Sequence, residues 1–83
     1  MNLNDKTVVV TGGARGIGKA LGQAFSDQGA RVVVADILAE ETSETAAAIS
    51  GLAVTCDVSR EEDIQHLVNT VESAYGPIDL FCS

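Results

Sequence analysis

Short β-branched apolar runs alternate along this chain with longer stretches whose apolar residues recur every three or four positions. Residues 7–10, ending in Val8-Val9-Val10, form the first such run and predict a strand. Behind it Ile17, Leu21, Ala24 and Phe25 fall at i, i+4, i+7 and i+8, the apolar stripe of an amphipathic helix. Gly29 stands where a helix needs a left-handed residue to close it. Residues 31–35 carry Val32-Val33-Val34 without a polar break, which predicts a second strand covered on both faces, as parallel strands are. Residues 39–49, rich in Ala and Glu, predict a second helix closed by Gly51, and residues 52–55 a third strand.

Ser59-Arg60-Glu61-Glu62 fits a capping box, in which the Ser hydroxyl and a Glu carboxylate satisfy orphan donors at a helix start. Ile64, Leu67, Val68 and Val71 supply the buried stripe of the helix it opens. Gly76-Pro77 ends that helix, and residues 78–82 read as a fourth strand. The order is β-α-β-α-β-α-β. Right-handed crossovers between parallel strands make this a three-layer α/β unit. No linker, low-complexity segment or repeat interrupts it, so residues 1–83 are expected to be one domain.

Composition narrows the class. A chain of 83 residues buries only about 60–65% of its unfolded surface, which leaves stability marginal. Twelve Asp and Glu against five Lys and Arg give a net charge of −7, which argues against binding nucleic-acid phosphates. Residues 1–6 form no apolar leader and no apolar run approaches ~18 residues, so the expectation is a soluble, cytoplasmic chain without a membrane partner. Cys56 and Cys82, 26 residues apart and without His or Cys company, predict packed free thiols and no metal set.

The chemistry concentrates in Thr11-Gly12-Gly13-Ala14-Arg15-Gly16-Ile17-Gly18, between the first strand and the first helix. Strand, glycine turn and helix in that order present bare N–H groups and the positive end of the helix dipole to a phosphate. One reading is a P-loop, because Gly13-x-x-x-x-Gly18-Lys19 matches most of that motif. It fails at Ala20, whose methyl cannot ligate the Mg²⁺ that the motif's Ser/Thr hydroxyl holds. The other is a dinucleotide site. Asp36 closes the second strand 18 residues after Gly18, near the separation of about 20 at which a carboxylate takes the ribose hydroxyls. The glycines are spaced Gly12-x-x-x-Gly16-x-Gly18, a longer turn than the common G-x-G-x-x-G.

The glycine run, the strand-end Asp36, the pair Asp57-Val58 and the segment Gly76-Pro77-Ile78-Asp79-Leu80 together resemble the N-terminal part of the short-chain dehydrogenase/reductase family. The resemblance extends over essentially the whole chain. It implies a Rossmann-type doubly wound parallel sheet, here its N-terminal half with strand order 3-2-1-4. It implies a nicotinamide dinucleotide cofactor and hydride transfer between an alcohol and a carbonyl in a parent protein that forms a homo-oligomer. By position, Gly12, Gly16, Ile17 and Gly18 resemble the pyrophosphate turn. Asp57 resembles the residue that bonds the adenine amino group, with Val58 beside the ring. Arg15 occupies a place where NADP-preferring relatives carry a base for the 2′-phosphate. Asp36 would repel that phosphate more strongly than one exposed Arg attracts it, so NAD is expected, with NADP the alternative.

The family's Ser, Tyr and Lys catalytic set has no counterpart. Tyr75 is followed four residues later by Asp79 rather than Lys, and reads as a ring packed over a helix end. His66 reads as a solvent-facing helix residue, and the Glu-rich helix starts read as solvated faces. The expectation is the cofactor-binding part of a dehydrogenase with no catalytic residue of its own, inactive by itself. The alternative is an inert nucleotide-binding module or truncated product that acts through cofactor or partner binding, with the fourth strand as an exposed sheet edge.

Overall fold

The computed structural model describes residues 3–83. Strands Thr7–Thr11 (β1), Arg31–Asp36 (β2), Leu52–Thr55 (β3) and Leu80–Cys82 (β4) alternate with helices Gly16–Asp27 (α1), Ala39–Ala48 (α2) and Glu61–Tyr75 (α3). Every ladder is parallel and the strands lie in the order β3-β2-β1-β4. Val8 pairs with Val32 on one side and Leu80 on the other, so β1 lies inside the sheet.

The two-residue period of the strands sorts the valines between two cores. Val9, Val33, Ala35, Val54 and Cys56 face Leu67 and Val71 of α3. Val8, Val10, Val32 and Val34 face the opposite layer, where Ala46 of α2 and the half-buried Phe25 of α1 pack on them. Helices therefore cover both faces, and the unbroken valine runs follow from that. Removing one such buried side chain from water stabilises the fold by roughly 1.5–3 kcal/mol. The architecture is a doubly wound α/β sheet, as the alternation of patterns predicts.

Local expectations fared unevenly. Gly29 closes α1 with φ +89°, as its position suggests. Of the apolar stripe of α1, however, only Phe25 packs on the sheet: Ile17 is 81% exposed, and Leu21 and Ala24 are exposed too. Gly22 is buried in their place, and a β-carbon there would just touch Val32 Cγ1 at 3.7 Å. Small residues bring the helix backbone down onto β2, which counting apolar positions does not register. In α3, Leu67 and Val71 are fully buried, whereas Ile64 and Val68 flank them half-buried.

Two helix ends differ from expectation. After α2 it is Ser50 that takes the left-handed conformation, at φ +53°. Gly51 is needed for space, because a β-carbon there would lie 2.6 Å from the Val32 carbonyl oxygen. The capping box at Ser59 does not form. Arg60 is the residue before α3 and makes no side-chain cap. The Ser59 hydroxyl instead donates to Asp57 Oδ1 at 2.6 Å, and Asp63 Oδ2 accepts from the Asp57 N–H at 2.9 Å. Asp57 competes for Ser59 from two residues away and wins on proximity.

At the amino edge of the sheet, Asp79 N–H donates to the Thr7 carbonyl and Asp79 Oδ2 accepts from the Thr7 N–H at 2.8 Å. These bonds precede β4, which is shorter than expected because Ile78 and Asp79 belong to the turn. Tyr75 packs against the sheet from the end of α3, with the Arg31 guanidinium 5.6 Å from its ring centre. Cys56 is buried and Cys82 half-buried, both unpaired, and burial pushes the Cys56 thiol pKa up, aided by Asp63 and Asp57. Among the described residues no helix is long and apolar enough to cross a membrane.

Candidate functional site

Parallel strands release their chains at one edge, and here three of them do so side by side. Thr11 of β1 is in register with Ala35, and Asp36 of β2 with Thr55. The segments that follow are the glycine turn, Ile37-Leu38 and Cys56-Asp57-Val58. Strand order reverses at β1, because β2 lies on one side of it and β4 on the other. Ligands of open α/β sheets settle in the crevice that such a reversal leaves at the carboxyl edge.

The glycine turn is bolted to its surroundings by the main chain. Gly12 N–H donates to the Ala35 carbonyl at 2.8 Å and Ala14 N–H to Asp36 Oδ2 at 3.2 Å. The buried Thr45 of α2 donates its hydroxyl to the Ala14 carbonyl at 3.2 Å. Gly12 and Gly16 adopt φ +67° and +55°, a region that side chains rarely enter, and both face open space. Gly18 serves a different end: a β-carbon on it would collide with the Gly12 carbonyl, so the start of α1 can lie against the turn only because it is bare. Gly13, which entered the sequence reading only through the P-loop alternative, is confined too, with Val34 Cγ1 2.8 Å from where its β-carbon would stand.

The first bond of the α1 ladder runs from Lys19 N–H to the Arg15 carbonyl at 3.1 Å. Among the described residues the N–H groups of Gly16, Ile17 and Gly18 have no main-chain acceptor. Three donors at the positive end of a helix dipole make a cradle for an anion.

Asp36 is half-buried beside this cradle. Its Oδ1 accepts from the Ile37 N–H at 2.7 Å and the Leu38 N–H at 3.4 Å, and its Oδ2 from Ala14. Oδ2, with a single donor, keeps a second lone pair, so capacity for a further donor remains there. Asp57 lies beyond β3, and Ser59 holds its carboxyl below the usual carboxylate range, first through its hydroxyl and then through its N–H. Ile17, Ile37 and Val58 project exposed apolar side chains along this edge, Ile37 at 60% and Val58 at 53% exposure. Ile37 was not foreseen; an exposed isoleucine directly after a strand-end Asp was its signal.

Arg15 is the residue before α1, and its side chain turns to α2. Nε and Nη2 donate to Glu41 Oε2 at 2.5 Å and Oε1 at 2.7 Å. The hydrogen bond and the opposite charges raise the Arg15 pKa, and the bond to Arg15 lowers that of Glu41. Glu41 read as a solvated helix-face charge in sequence, and a partner 26 positions away left no local pattern. Beneath the pair a cleft of about 330 Å³ opens between α1 and α2, lined also by Lys19, Glu44 and Thr45. Ala14 and Gly16 of the turn line it as well, so the cleft adjoins the cradle.

Tyr75 and His66 stand apart from this edge. Tyr75 stacks with Arg31, the first residue of β2, at the opposite edge of the sheet. His66 is exposed, with Nε2 3.5 Å from the Thr70 hydroxyl on its own helix. Among the described residues no three His, Cys, Asp or Glu side chains gather as a metal set.

Known proteins share this arrangement. An uncharacterized oxidoreductase of Mycobacterium bovis is 43% identical over 82 residues, which is 94% of this chain and 33% of that protein. An NAD-dependent glycerol dehydrogenase of Listeria innocua is 40% identical over 85 residues, 99% of this chain and 33% of its own. The crystal structure of a hydroxysteroid dehydrogenase from Escherichia coli superposes with a TM-score of 0.93 at 30% identity, over 96% of this chain and 35% of that one. The chain thus spans about a third of the length of these relatives. With the short chain dehydrogenase profile matching residues 6–83, the chain belongs to the short-chain dehydrogenase family.

Proposed function

We propose that this chain holds the adenosine and pyrophosphate half of a nicotinamide dinucleotide, NAD in preference to NADP, for an oxidoreductase that moves hydride between an alcohol and a carbonyl. The observation that carries the reading is the row of N–H groups at Gly16, Ile17 and Gly18 that have no main-chain acceptor among the described residues, with the Asp36 carboxylate beside it. The N–H groups take the pyrophosphate, and the absence of a β-carbon at Gly12 and Gly16 leaves the approach to the backbone open. Asp36 accepts from the ribose hydroxyls and repels a 2′-phosphate. The ionised Asp57 accepts from the adenine amino group, and Val58 offers an apolar surface to the ring. When bound, the cofactor supplies the hydride carrier; the residues of this chain orient its far end. The NAD dependence in the name of the Listeria relative supports the cofactor preference.

Calorimetric titration of the 83-residue chain with NAD, NADP and ADP-ribose tests this. Saturable binding of NAD and ADP-ribose within about threefold of each other is expected, since the proposed contacts exclude nicotinamide, with NADP at least tenfold weaker, roughly 1.4 kcal/mol. A folded chain, judged by circular dichroism and amide dispersion, that binds none of them overturns the reading. Turnover of an alcohol with NAD by this chain would overturn the expectation that it lacks catalytic groups.

A further inference from the structure

We infer that Glu41 is a specificity residue of this site, holding the Arg15 guanidinium in a two-bonded pair and so withholding it from a 2′-phosphate. The inference rests on the reading above that the ribose lies at Asp36. Arg15 directly follows Ala14, whose N–H is bonded to Asp36, so this cation leaves the turn next to the carboxylate assigned to the ribose. A guanidinium there is the natural partner of a 2′-phosphate, because its planar fork matches phosphate oxygens. Glu41 has taken that fork. Both of its oxygens are engaged, by Nε and by Nη2.

The pairing is built into the packing of α2 on the turn. Thr45, buried one turn after Glu41, donates to the Ala14 carbonyl, and Thr42, also buried, donates to the Leu38 carbonyl at 2.7 Å. The Thr45 bond ties α2 to the residue that precedes Arg15, and the Thr42 bond closes the first turn of the helix that carries Glu41. Glu41 is thereby held opposite the guanidinium although both side chains reach into solvent, 69% and 40% exposed.

The two cofactors meet this pair differently. A ribose 2′-hydroxyl needs nothing from Arg15, so NAD leaves the pair intact. A 2′-phosphate must draw Arg15 away and then stand among the Glu41, Glu44 and Asp36 carboxylates, with Lys19 across the cleft as the other cation there. Discrimination then comes from a repulsive element as well as an attractive one. The pair is exposed and water-screened, so it reinforces Asp36 and does not replace it.

Affinities of NAD and NADP for the wild-type chain, Glu41→Gln, Arg15→Ala and the double variant decide the matter. Glu41→Gln should tighten NADP by about fivefold, the most an exposed pair can withhold, and leave NAD within about twofold. The gain should vanish in Glu41→Gln with Arg15→Ala. An unchanged NADP-to-NAD ratio in Glu41→Gln overturns the inference, and so does a gain that survives loss of Arg15. Equal weakening of both cofactors would make Glu41 a strut between α1 and α2 and overturn it too. A wild-type chain that binds neither cofactor overturns the parent reading as well, and that result is read before any variant is made.

Discussion

The carboxylate of Asp36, at the end of β2, accepts a hydrogen bond from the main-chain N–H of Ala14 in the glycine turn, 3.2 Å away. One side chain thus shapes the turn and faces the proposed ribose. Removing it mixes two effects, and an amide separates them. Asp36→Ala should weaken NAD at least tenfold and narrow discrimination against NADP, because both charge and acceptor go. Asp36→Asn keeps one acceptor oxygen: turned to Ala14 it should hold the turn, with the Ala14 amide still protected from exchange, while the charge and the bonds to the Ile37 and Leu38 N–H groups are lost and NADP is admitted. An Asn variant that still rejects NADP would place the discrimination elsewhere.

Ser59 acts on Asp57 rather than on α3, and a titration reads that directly. The folded-state pKa of Asp57 is depressed, so its contribution to stability is present above the ordinary carboxylate range and lost as pH falls through the depressed value. Ser59→Ala removes the hydroxyl, the larger cause, and keeps the N–H. The Asp57 pKa should rise part of the way back, followed by side-chain carboxyl carbon NMR. An unmoved titration would assign the depression to another group.

The arrangement of the sheet was readable because it depends on composition at short range. Val8–Val10 and Val32–Val34 can only be strands buried on both faces, and helical patterns between them force parallel crossovers. Asp36 and the glycine turn were readable for a similar reason, since each sits at a fixed offset from a strand end. What stayed hidden was competition and proximity. Ser59 has a helix start ahead of it and Asp57 behind it, and sequence does not say which takes the hydroxyl. The packing face of α1 is set by Gly22, a residue with no side chain to count. The Arg15–Glu41 pair forms only when α2 is docked on the turn.

The two glycine requirements in the turn predict different damage. Gly12→Ala meets open space and carries only the cost of a left-handed φ, about 1–2 kcal/mol. Gly18→Ala drives a β-carbon into the Gly12 carbonyl, so α1 must retreat and its free N–H groups move with it. Thermal melts should show both variants destabilised. Cofactor titration should show Gly18→Ala losing NAD binding more completely than Gly12→Ala. The reverse ranking would mean that α1 does not present the cradle.

Asp79 predicts a purely structural loss. Its carboxylate is the acceptor for the N–H of Thr7, a residue with no exposure at all. Asp79→Ala leaves that buried donor unsatisfied and should cost about 1–3 kcal/mol in denaturant unfolding. NAD affinity of the folded fraction should be unchanged, because the bond lies at the edge of the sheet opposite the glycine turn. A loss of affinity without a loss of stability would contradict that placement.

The outer edge of the sheet at β4 predicts how the isolated chain behaves in solution. Among the described residues β4 pairs only with β1, and Leu80 and Phe81 are 37% and 41% exposed. Its outward N–H and C=O groups and these two side chains form a template for another strand. The 83-residue chain should therefore associate as concentration rises, with a weight-average mass in sedimentation equilibrium that climbs above the monomer. Phe81→Lys places a charge on that edge while leaving the buried faces of β1 untouched, so it should return the mass to the monomer at little cost in stability. Should Phe81→Lys associate as readily as the wild type, the contact lies elsewhere, and the exposed Ile17 and Leu21 of α1 become the next surface to charge.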